Sequence, residues 1–304
     1  MAKSAILNSS IAKKWWMALT GLFLCLFLVG HLLGNLQMIF IHGEEGKRAF
    51  NEYAYFMTHN PLIKVMSYIT YFSILFHAID GIILTVQNKK ARPQNYAYNK
   101  PGTNSSLPSR YMAVLGSAIL IFIVLHMANF WGKMHYTEMP LHKTERISES
   151  QRMTEMGPQK TMDTASYYLS TQGEYLHEGY FESQGPGQKA PIRIEETNFI
   201  NSQNDLSIGE GYKDLHSLVF AFFGHDKSKE GFPINKNALI AVIIYVVAML
   251  VLAFHLWHGF ASAFQTLGVN HKKHNAIIKG FGRMFAVLVP LAFAMIPILI
   301  YLNK

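Results

Sequence analysis

The chain has 304 residues, of which half are hydrophobic and only 15% are charged, and its net charge is +8. A soluble domain carries about 25% charged residues, so this composition indicates a membrane protein and not a nucleic-acid-binding protein. The single cysteine, Cys25, excludes an internal disulfide framework and a Cys-ligated iron–sulfur cluster.

Five segments are long and apolar enough to cross a bilayer, which takes about 20 residues of helix. In chain order these predicted spans cover residues 15–41, 62–87, 108–131, 237–267 and 277–302. The first segment is too long for a signal peptide and lacks a small-residue cleavage site, so we interpret it as a true span. Pro290 and Pro297 lie within the fifth span and predict a kink there. The expected fold is an all-α integral membrane protein, a single domain over residues 1–304.

The segments between the spans predict the orientation of the chain. Residues 1–14, 88–110 and 268–283 together carry twelve Lys and Arg and no Asp or Glu, whereas residues 42–61 carry two basic and three acidic residues. The positive-inside rule therefore places the N-terminus in the cytoplasm and the C-terminus outside. Residues 132–236 are expected to form one enlarged outer loop of mixed charge.

Four of the fourteen histidines lie deep within four different predicted spans: His31, His77, His126 and His255. A single buried histidine usually makes an interhelical hydrogen bond, but four on four consecutive spans indicate metal ligation. Because the spans alternate in direction, His31 and His126 share the outer half of the membrane, and His77 and His255 share the inner half. Two facing imidazoles at each level suit bis-histidine haem iron, whereas structural zinc needs four ligands together.

Small and polar residues recur one helical turn after these histidines. Gly81 follows His77 and Gly259 follows His255 by four positions, which places each pair on one helix face and predicts room for a flat macrocycle. The polar residues at similar spacing are Asn35, Asp80, Asn129 and His258. They lie where haem propionates or a quinone head group would be met, or they make ordinary interhelical polar contacts. His258 competes with His255 as a ligand, and the glycine spacing favours His255.

Four stretches of the chain are long enough to carry a family resemblance. They read SSIAKKWWMALTGLFLCLFLVGHLLGN, AFNEYAYFMTHNPL, LFHAIDGIILTVQNKKARP and FHLWHGFASAFQTLG. They resemble the cytochrome b558 membrane anchor of bacterial succinate:quinone oxidoreductases, which comprise the succinate dehydrogenases and the fumarate reductases. The type that they resemble is a single chain with two haems. The resemblance covers roughly residues 1–135 and 210–304 and leaves out residues 140–210. It implies two b haems, with ligands paired between the first and third and between the second and fourth spans.

The resemblance also implies a function and a location. Such an anchor lies in the bacterial inner (cytoplasmic) membrane beneath a flavoprotein subunit and an iron–sulfur subunit, where succinate and fumarate chemistry takes place. The chain has no nucleotide fingerprint and no cysteine set for those steps. Its expected share is electron transfer between the iron–sulfur subunit and menaquinone, or another quinone, through two haem b groups. The basic cytoplasmic loops suit docking of a partner, although the positive-inside rule alone explains them.

Quinone chemistry needs a proton carrier, and a carboxylate is a natural choice. The resemblance implies a menaquinone site near the outer haem, and Glu52 is the acid of the AFNEYAYF motif in the outer first loop. Glu52 is therefore the candidate proton-handling residue, with a solvated surface acid as the alternative interpretation. Some fumarate reductases of this type carry a Glu two residues before the fourth-span ligand for transmembrane proton transfer. Here that position is Ala253, which argues against such a path.

Two other functions remain open from the sequence. A dihaem b-type anchor of a hydrogenase or formate dehydrogenase would share the histidine pairs but not the quoted motifs. A transporter or structural membrane protein could use its histidines to bind protons or divalent metal ions. An absorption spectrum separates haem proteins from transporters, and the co-purifying subunits separate the two kinds of anchor.

Overall fold

The structure is a computed structural model that describes residues 9–91, 94, 100, 103, 105–154, 157–183, 185–224 and 231–302. Over these residues it is mostly helical. Five helices are long and apolar enough to cross a membrane, which confirms the number of predicted spans. The described chain is a multi-pass membrane protein by this criterion.

The membrane helices are α1, Ser10–Phe40; α3, Pro61–Lys90; α5, Met112–Met127; α8, Ala238–Thr266; and α9, Lys272–Leu302. Two shorter helices flank the third span, namely α4, Leu107–Arg110, before it and α6, Lys133–Tyr136, after it. The side chain of Ser9 caps α1, and the side chain of Asn60 caps α3, so polar residues define where these helices begin. The helix α9 runs through Pro290 and Pro297, both of which are buried.

The third span differs from its prediction. A separate short turn of helix, α4, contains Pro108, and the span itself starts later, at Met112. At its other end a π-helical segment, Ala128–Gly132, joins α5 to α6, so the apolar helix continues to Tyr136. A π-turn rotates the residues that follow it relative to an α-helix. A hydropathy pattern does not predict this rotation.

The predicted first outer loop is instead a helix, α2, Gly43–His59. One of its faces buries Lys47, Phe50 and Asn51, although its mean composition is polar. Gly43 adopts a φ of +65° at the start of α2, which turns the chain back after α1. A short amphipathic helix of this kind is not long or apolar enough to be found in a search for spans.

The described residues between Tyr136 and Ala238 form an insert with strands as well as helix, so the expectation of an all-α fold is wrong for this part of the chain. It contains one sheet of β1, Lys143–Thr154, β2, Gly157–Leu169, and β3, Tyr175–His177, and a second sheet of β4, Ile192–Glu195, β5, Asn198–Asn201, and β6, Ser207–Glu210. All neighbouring strands are antiparallel, with Lys143 opposite Tyr168 in the first hairpin. A 3₁₀ turn, Glu178–Phe181, follows β3, and a final helix, α7, spans Leu215–Phe223. Gly185–Gly187 lies in bends and turns.

The insert packs against one end of the membrane helices, which we call the insert end. Helix α7 contacts α2, α8 and α9. Its Val219 and Phe223 join Leu32, Tyr245 and Val289 in the largest buried apolar cluster. A smaller cluster around Leu141, Ile192 and Phe199 holds the insert itself. The positive-inside expectation assigns the insert end to the outer side of the membrane.

Candidate functional site

A cavity of about 1500 Å³ runs between helices α1, α3, α5 and α8. Its lining is mainly apolar, and the side chains of His31, His77, His126 and His255 all contribute to it. The four histidines selected from the sequence therefore face one shared space. The structure arranges them as two pairs.

His31 of α1 and His126 of α5 form the pair nearer the insert end. Their ring centroids lie 5.8 Å apart with an interplanar angle of 83°. Phe27 stacks on His31, and Phe122 stacks on His126. The pairing of the first with the third span is the one that depth along the helices predicts.

His77 of α3 and His255 of α8 form the pair nearer the opposite end. Their ring centroids lie 6.2 Å apart with an interplanar angle of 69°. His258 also lines the cavity, but among the described residues it makes no ring contact with His77. This geometry supports His255 over His258 as the partner of His77.

Hydrogen bonds fix the ring of His77. Its Nδ1 lies 3.2 Å from the backbone oxygen of Met17 and 3.3 Å from Oγ1 of Thr20. A carbonyl oxygen only accepts, so Nδ1 carries the proton and Nε2 keeps its lone pair. The hydroxyl of Thr20 donates in turn to the backbone oxygen of Trp16 at 2.9 Å. His77 is thus prepared to ligate through Nε2, as metal-bound histidines are when the other nitrogen donates to the protein.

The other three histidines have fewer partners. Nδ1 of His126 lies 3.4 Å from the Tyr245 hydroxyl, at the outer limit of a hydrogen bond. Asn35 donates to the backbone oxygen of His31 at 2.7 Å and lies 3.4 Å from its Nδ1. Among the described residues the buried Nδ1 of His255 has no hydrogen-bond partner. A metal ion bound at Nε2 would leave this Nδ1 without a partner, so the orphaned atom does not itself indicate a cofactor.

Four glycines lie next to the histidine rings or line the cavity beside them, and the sequence pattern predicts only two of the four. Gly81 and Gly259 line the cavity as predicted, and nothing lies within 4 Å of where a Cβ on Gly81 would be. A Cβ on Gly21 would lie 3.1 Å from Cε1 of His77, and one on Gly116 would lie 3.6 Å from Cε1 of His255. Gly21 and Gly116 belong to neighbouring helices, so spacing along the ligand's own helix could not find them.

Two of the polar residues selected from the sequence, Asp80 and Asn129, lie in different surroundings. Asp80 is buried on α3 with 8% of its surface exposed. Asn129, in the π-helical segment, lies beside the hydroxyl of Tyr245. Tyr245 therefore contacts both Asn129 and His126, a role that the sequence analysis missed because tyrosine is common in apolar spans.

Charged and polar residues line both ends of the cavity, and Thr70 and Ser117 lie between those ends. At the insert end the polar lining residues are Thr58, Lys64, Ser67 and His135. At the opposite end they are Lys14, Thr85, Asn88, His258, Ser262 and Thr266. Each end thus holds one lysine beside several hydroxyl or amide groups, which suits a ligand with an apolar body and anionic groups.

Glu52 lies outside this lining. Its carboxylate accepts a hydrogen bond of 2.6 Å from Nε of Arg48, one turn earlier on α2, and 38% of its side chain is exposed. This bond and the charge of Glu52 raise the pKa of Arg48. Gln37 and His42, polar residues near the end of α1 that could also meet a quinone, lie outside the set of lining residues as well. The position of Glu52 therefore favours its alternative interpretation as a surface acid.

The described residues contain no group of three or more His, Cys, Asp or Glu side chains able to hold a metal ion. The arrangement offers two imidazoles at each of two levels. No protein-family model, curated protein or solved structure matches the chain.

Proposed function

We propose that the chain is the dihaem cytochrome b membrane anchor of a succinate:quinone oxidoreductase and passes electrons between an iron–sulfur subunit and quinone. One observation carries this proposal, namely the two facing imidazole pairs within one cavity, His31 with His126 and His77 with His255. The family resemblance of the sequence supplies the rest of the proposal.

The separation within each pair is compatible with ligation. A bond from a metal ion to an imidazole nitrogen is about 2 Å long, so one ion between two imidazoles brings the ring centroids to roughly 6 Å. The observed centroid distances are 5.8 Å and 6.2 Å. Packed rings also have centroids about 4.5–7 Å apart, so the distances are compatible with ligation, and the cavity that both pairs line is the feature that favours it.

The cavity supports a haem more than a bare metal ion. A metal ion bound by two imidazoles alone would lack the other ligands that zinc requires. A haem supplies four ring nitrogens of its own, fills apolar space and carries two carboxylates. The mainly apolar lining of the cavity, the open face beside Gly81 and the lysines Lys14 and Lys64 at its two ends fit those properties.

The chain's own residues would hold and orient the cofactor. His31 and His126 would ligate one haem, and His77 and His255 the other. The backbone oxygen of Met17 accepts the hydrogen bond from Nδ1 of His77 and so fixes the ring, and the mainly apolar lining surrounds the space for the cofactor. When bound, the haem iron supplies one-electron chemistry, and its potential depends on the axial ligands and on burial.

The family resemblance of the sequence is what supports the partner subunits and the quinone in this proposal. Succinate and fumarate would react in the flavoprotein subunit, which the iron–sulfur subunit connects to the anchor. The acid-free basic segments 1–14, 88–110 and 268–283 fit the cytoplasmic side, where those subunits would bind. Menaquinone would react from within the membrane, near the insert end.

Two measurements on the purified full-length chain test the proposal. The dithionite-reduced absorption spectrum should show b-type haem bands, and affinity purification should recover a flavoprotein and an iron–sulfur protein. A chain without haem bands would refute the proposal and favour a transporter. Haem bands with hydrogenase or formate dehydrogenase subunits would identify a different respiratory anchor.

A further inference from the structure

A buried polar network joins α2, the residues before β1 and the start of α7 at the insert end. Its members are Glu44, Lys47, Asn51, His142 and Asp214. The side chains of His142 and Asp214 are fully buried, and Asn51 is 1% exposed. Groups of this kind are rarely buried unless each is paired.

The amide of Asn51 can adopt only one orientation. Its Oδ1 accepts a hydrogen bond from the backbone N–H of His216 at 2.9 Å. Its Nδ2 therefore faces the other two partners, Oδ1 of Asp214 at 3.0 Å and Nδ1 of His142 at 3.1 Å. An NH₂ group only donates, so each of these two atoms must be an acceptor.

This orientation determines the tautomer of His142. Nδ1 accepts from Asn51, so the ring proton of the neutral imidazole lies on Nε2, which donates to Oε1 of Glu44 at 2.7 Å. A second proton on Nδ1 would place an N–H group against the NH₂ of Asn51. Turning the amide over would then put its NH₂ against the backbone N–H of His216.

Charged groups from two helices face this histidine. Glu44 and Lys47 belong to α2, and Asp214 caps α7 and pairs with Lys47 at 3.1 Å. The adjacent Lys143 pairs with Glu178. Burial tends to raise the pKa of Glu44, but the hydrogen bond from His142 and the charge of Lys47 hold that pKa below its usual value. Glu44 is 45% exposed and gives the network a route to water.

The network also holds α7 in place. Asp214 accepts from the backbone N–H of Ser217 at 3.0 Å and so caps the first turn of α7. At the far end of α7 the ring of Phe223 packs on Tyr245, with centroids 4.9 Å apart. Tyr245 in turn lies beside His126. The position of α7 is therefore coupled to the surroundings of the insert-end histidine pair.

We propose that this network is a pH-sensitive latch, in which protonation of His142 at Nδ1 expels the amide of Asn51 and releases the start of α7 from α2. In the neutral state Asn51 bridges α2, the insert and α7. In the protonated state His142 stays paired with Glu44, while Asp214 and the His216 N–H lose their contacts with Asn51. The latch itself does not depend on haem, whereas any effect on haem next to Tyr245 rests on the proposed function.

Hydrogen–deuterium exchange of the full-length protein in detergent tests the latch. We expect the amides of residues 215–218 to lose about tenfold protection between pH 7.5 and 5.5, after correction for intrinsic exchange, because the bonds to Asn51 are lost. In His142→Gln the new side chain offers a hydrogen-bond donor and an acceptor but does not titrate. The protection of the amides of residues 215–218 should therefore be equal at both pH values in this variant. His177→Gln, which alters a histidine outside the network, should behave like the wild type.

A second variant keeps the proposal testable if His142→Gln does not fold. Glu44→Gln still accepts the hydrogen bond of His142 but lacks the charge that favours the protonated ring. The midpoint of the loss of protection should then move to lower pH. Equal wild-type protection at both pH values would overturn the latch, and so would an unchanged loss in His142→Gln or an unchanged midpoint in Glu44→Gln. None of these readouts requires haem or quinone, so they remain valid if the proposed function fails.

Discussion

His77 donates a hydrogen bond from Nδ1 to the backbone oxygen of Met17 across 3.2 Å, and this bond joins α3 to α1. The donor atom of the ring is thereby directed toward the protein, which leaves Nε2 for the cavity. The glycine at position 21, one turn after Met17, provides the space in which this ring lies. The first helix thus positions a histidine that the second span contributes.

The histidine pairs predict the haem stoichiometry. We expect two b haems per chain in a pyridine haemochrome assay on pure protein, because each pair can ligate one iron. Loss of one ligand, as in His31→Ala, should reduce the content to one haem. A wild-type value of one haem per chain would contradict the pairing.

The two neighbouring histidines of α8 should differ in their effects. We expect His255→Ala to lose the haem shared with His77, because its ring lies 6.2 Å from that of His77. His258→Ala should keep both haems and shift a potential, since His258 lines the same end of the cavity. Redox titration of the two variants provides the measurement. The reverse result would identify His258 as the ligand.

Two glycines of α1 form a matched pair for mutation. In Gly21→Val the new side chain would displace the ring of His77, because even a Cβ would lie 3.1 Å from Cε1. Overpacking of this kind costs about 1–3 kcal/mol, so haem binding at that pair should weaken about tenfold or more. Gly30→Val is the control, since nothing lies within 4 Å of a Cβ there. Similar haem retention in both variants would argue against a ligand role for His77.

The ion pair with Arg48 disfavours a role for Glu52 in the proton transfer of quinone chemistry. We expect Glu52→Gln to leave both haem spectra intact and to lower menaquinone-analogue activity less than tenfold, well below the roughly 10²-fold loss of a positioned acid or base. Succinate oxidation with a soluble dye provides the control for subunit assembly. A hundredfold loss of quinone activity alone would restore Glu52 as the proton-handling residue.

Asp214 should make the stability of the insert end depend on pH. Burial tends to raise the pKa of Asp214, but the charge of Lys47 and the hydrogen bonds from Asn51 and Ser217 hold it below its usual value. A lowered carboxyl pKa stabilises the fold above the unfolded-state value of about 4, and this stabilisation is lost as the pH falls through the lower folded-state value.

Thermal unfolding in detergent between pH 7 and pH 3 measures this effect. Asp214→Asn should cost on the order of 3 kcal/mol at pH 7, because it leaves a buried partner uncompensated, and the difference from wild type should shrink toward pH 3. Asp205→Asn breaks an exposed pair with Arg193 and should leave the melting temperature unchanged at pH 7. A pH-independent difference between Asp214→Asn and wild type would contradict the assignment.

The five membrane helices and the depth of the four histidines within them follow from the order of the residues alone. Both properties are local, because a span is recognised from about 20 consecutive residues and the depth of a residue follows from its position in the span. The alternation of helix direction then suffices to sort His31 with His126 and His77 with His255. The glycine spacing located Gly81 and Gly259 on the cavity side for the same local reason.

Contacts between side chains of different helices, in contrast, depend on the tertiary packing. Gly21 and Gly116 matter because they face His77 and His255 from neighbouring helices, and no pattern within one helix records that contact. The loop predicted around Glu52 became α2 because its polar sequence gains a buried face only when α7 and the insert pack on it. The network of Asn51 with His142 and Asp214 joins residues 91 and 163 positions apart. Such contacts arise from packing, so they could not be derived from the order of the residues.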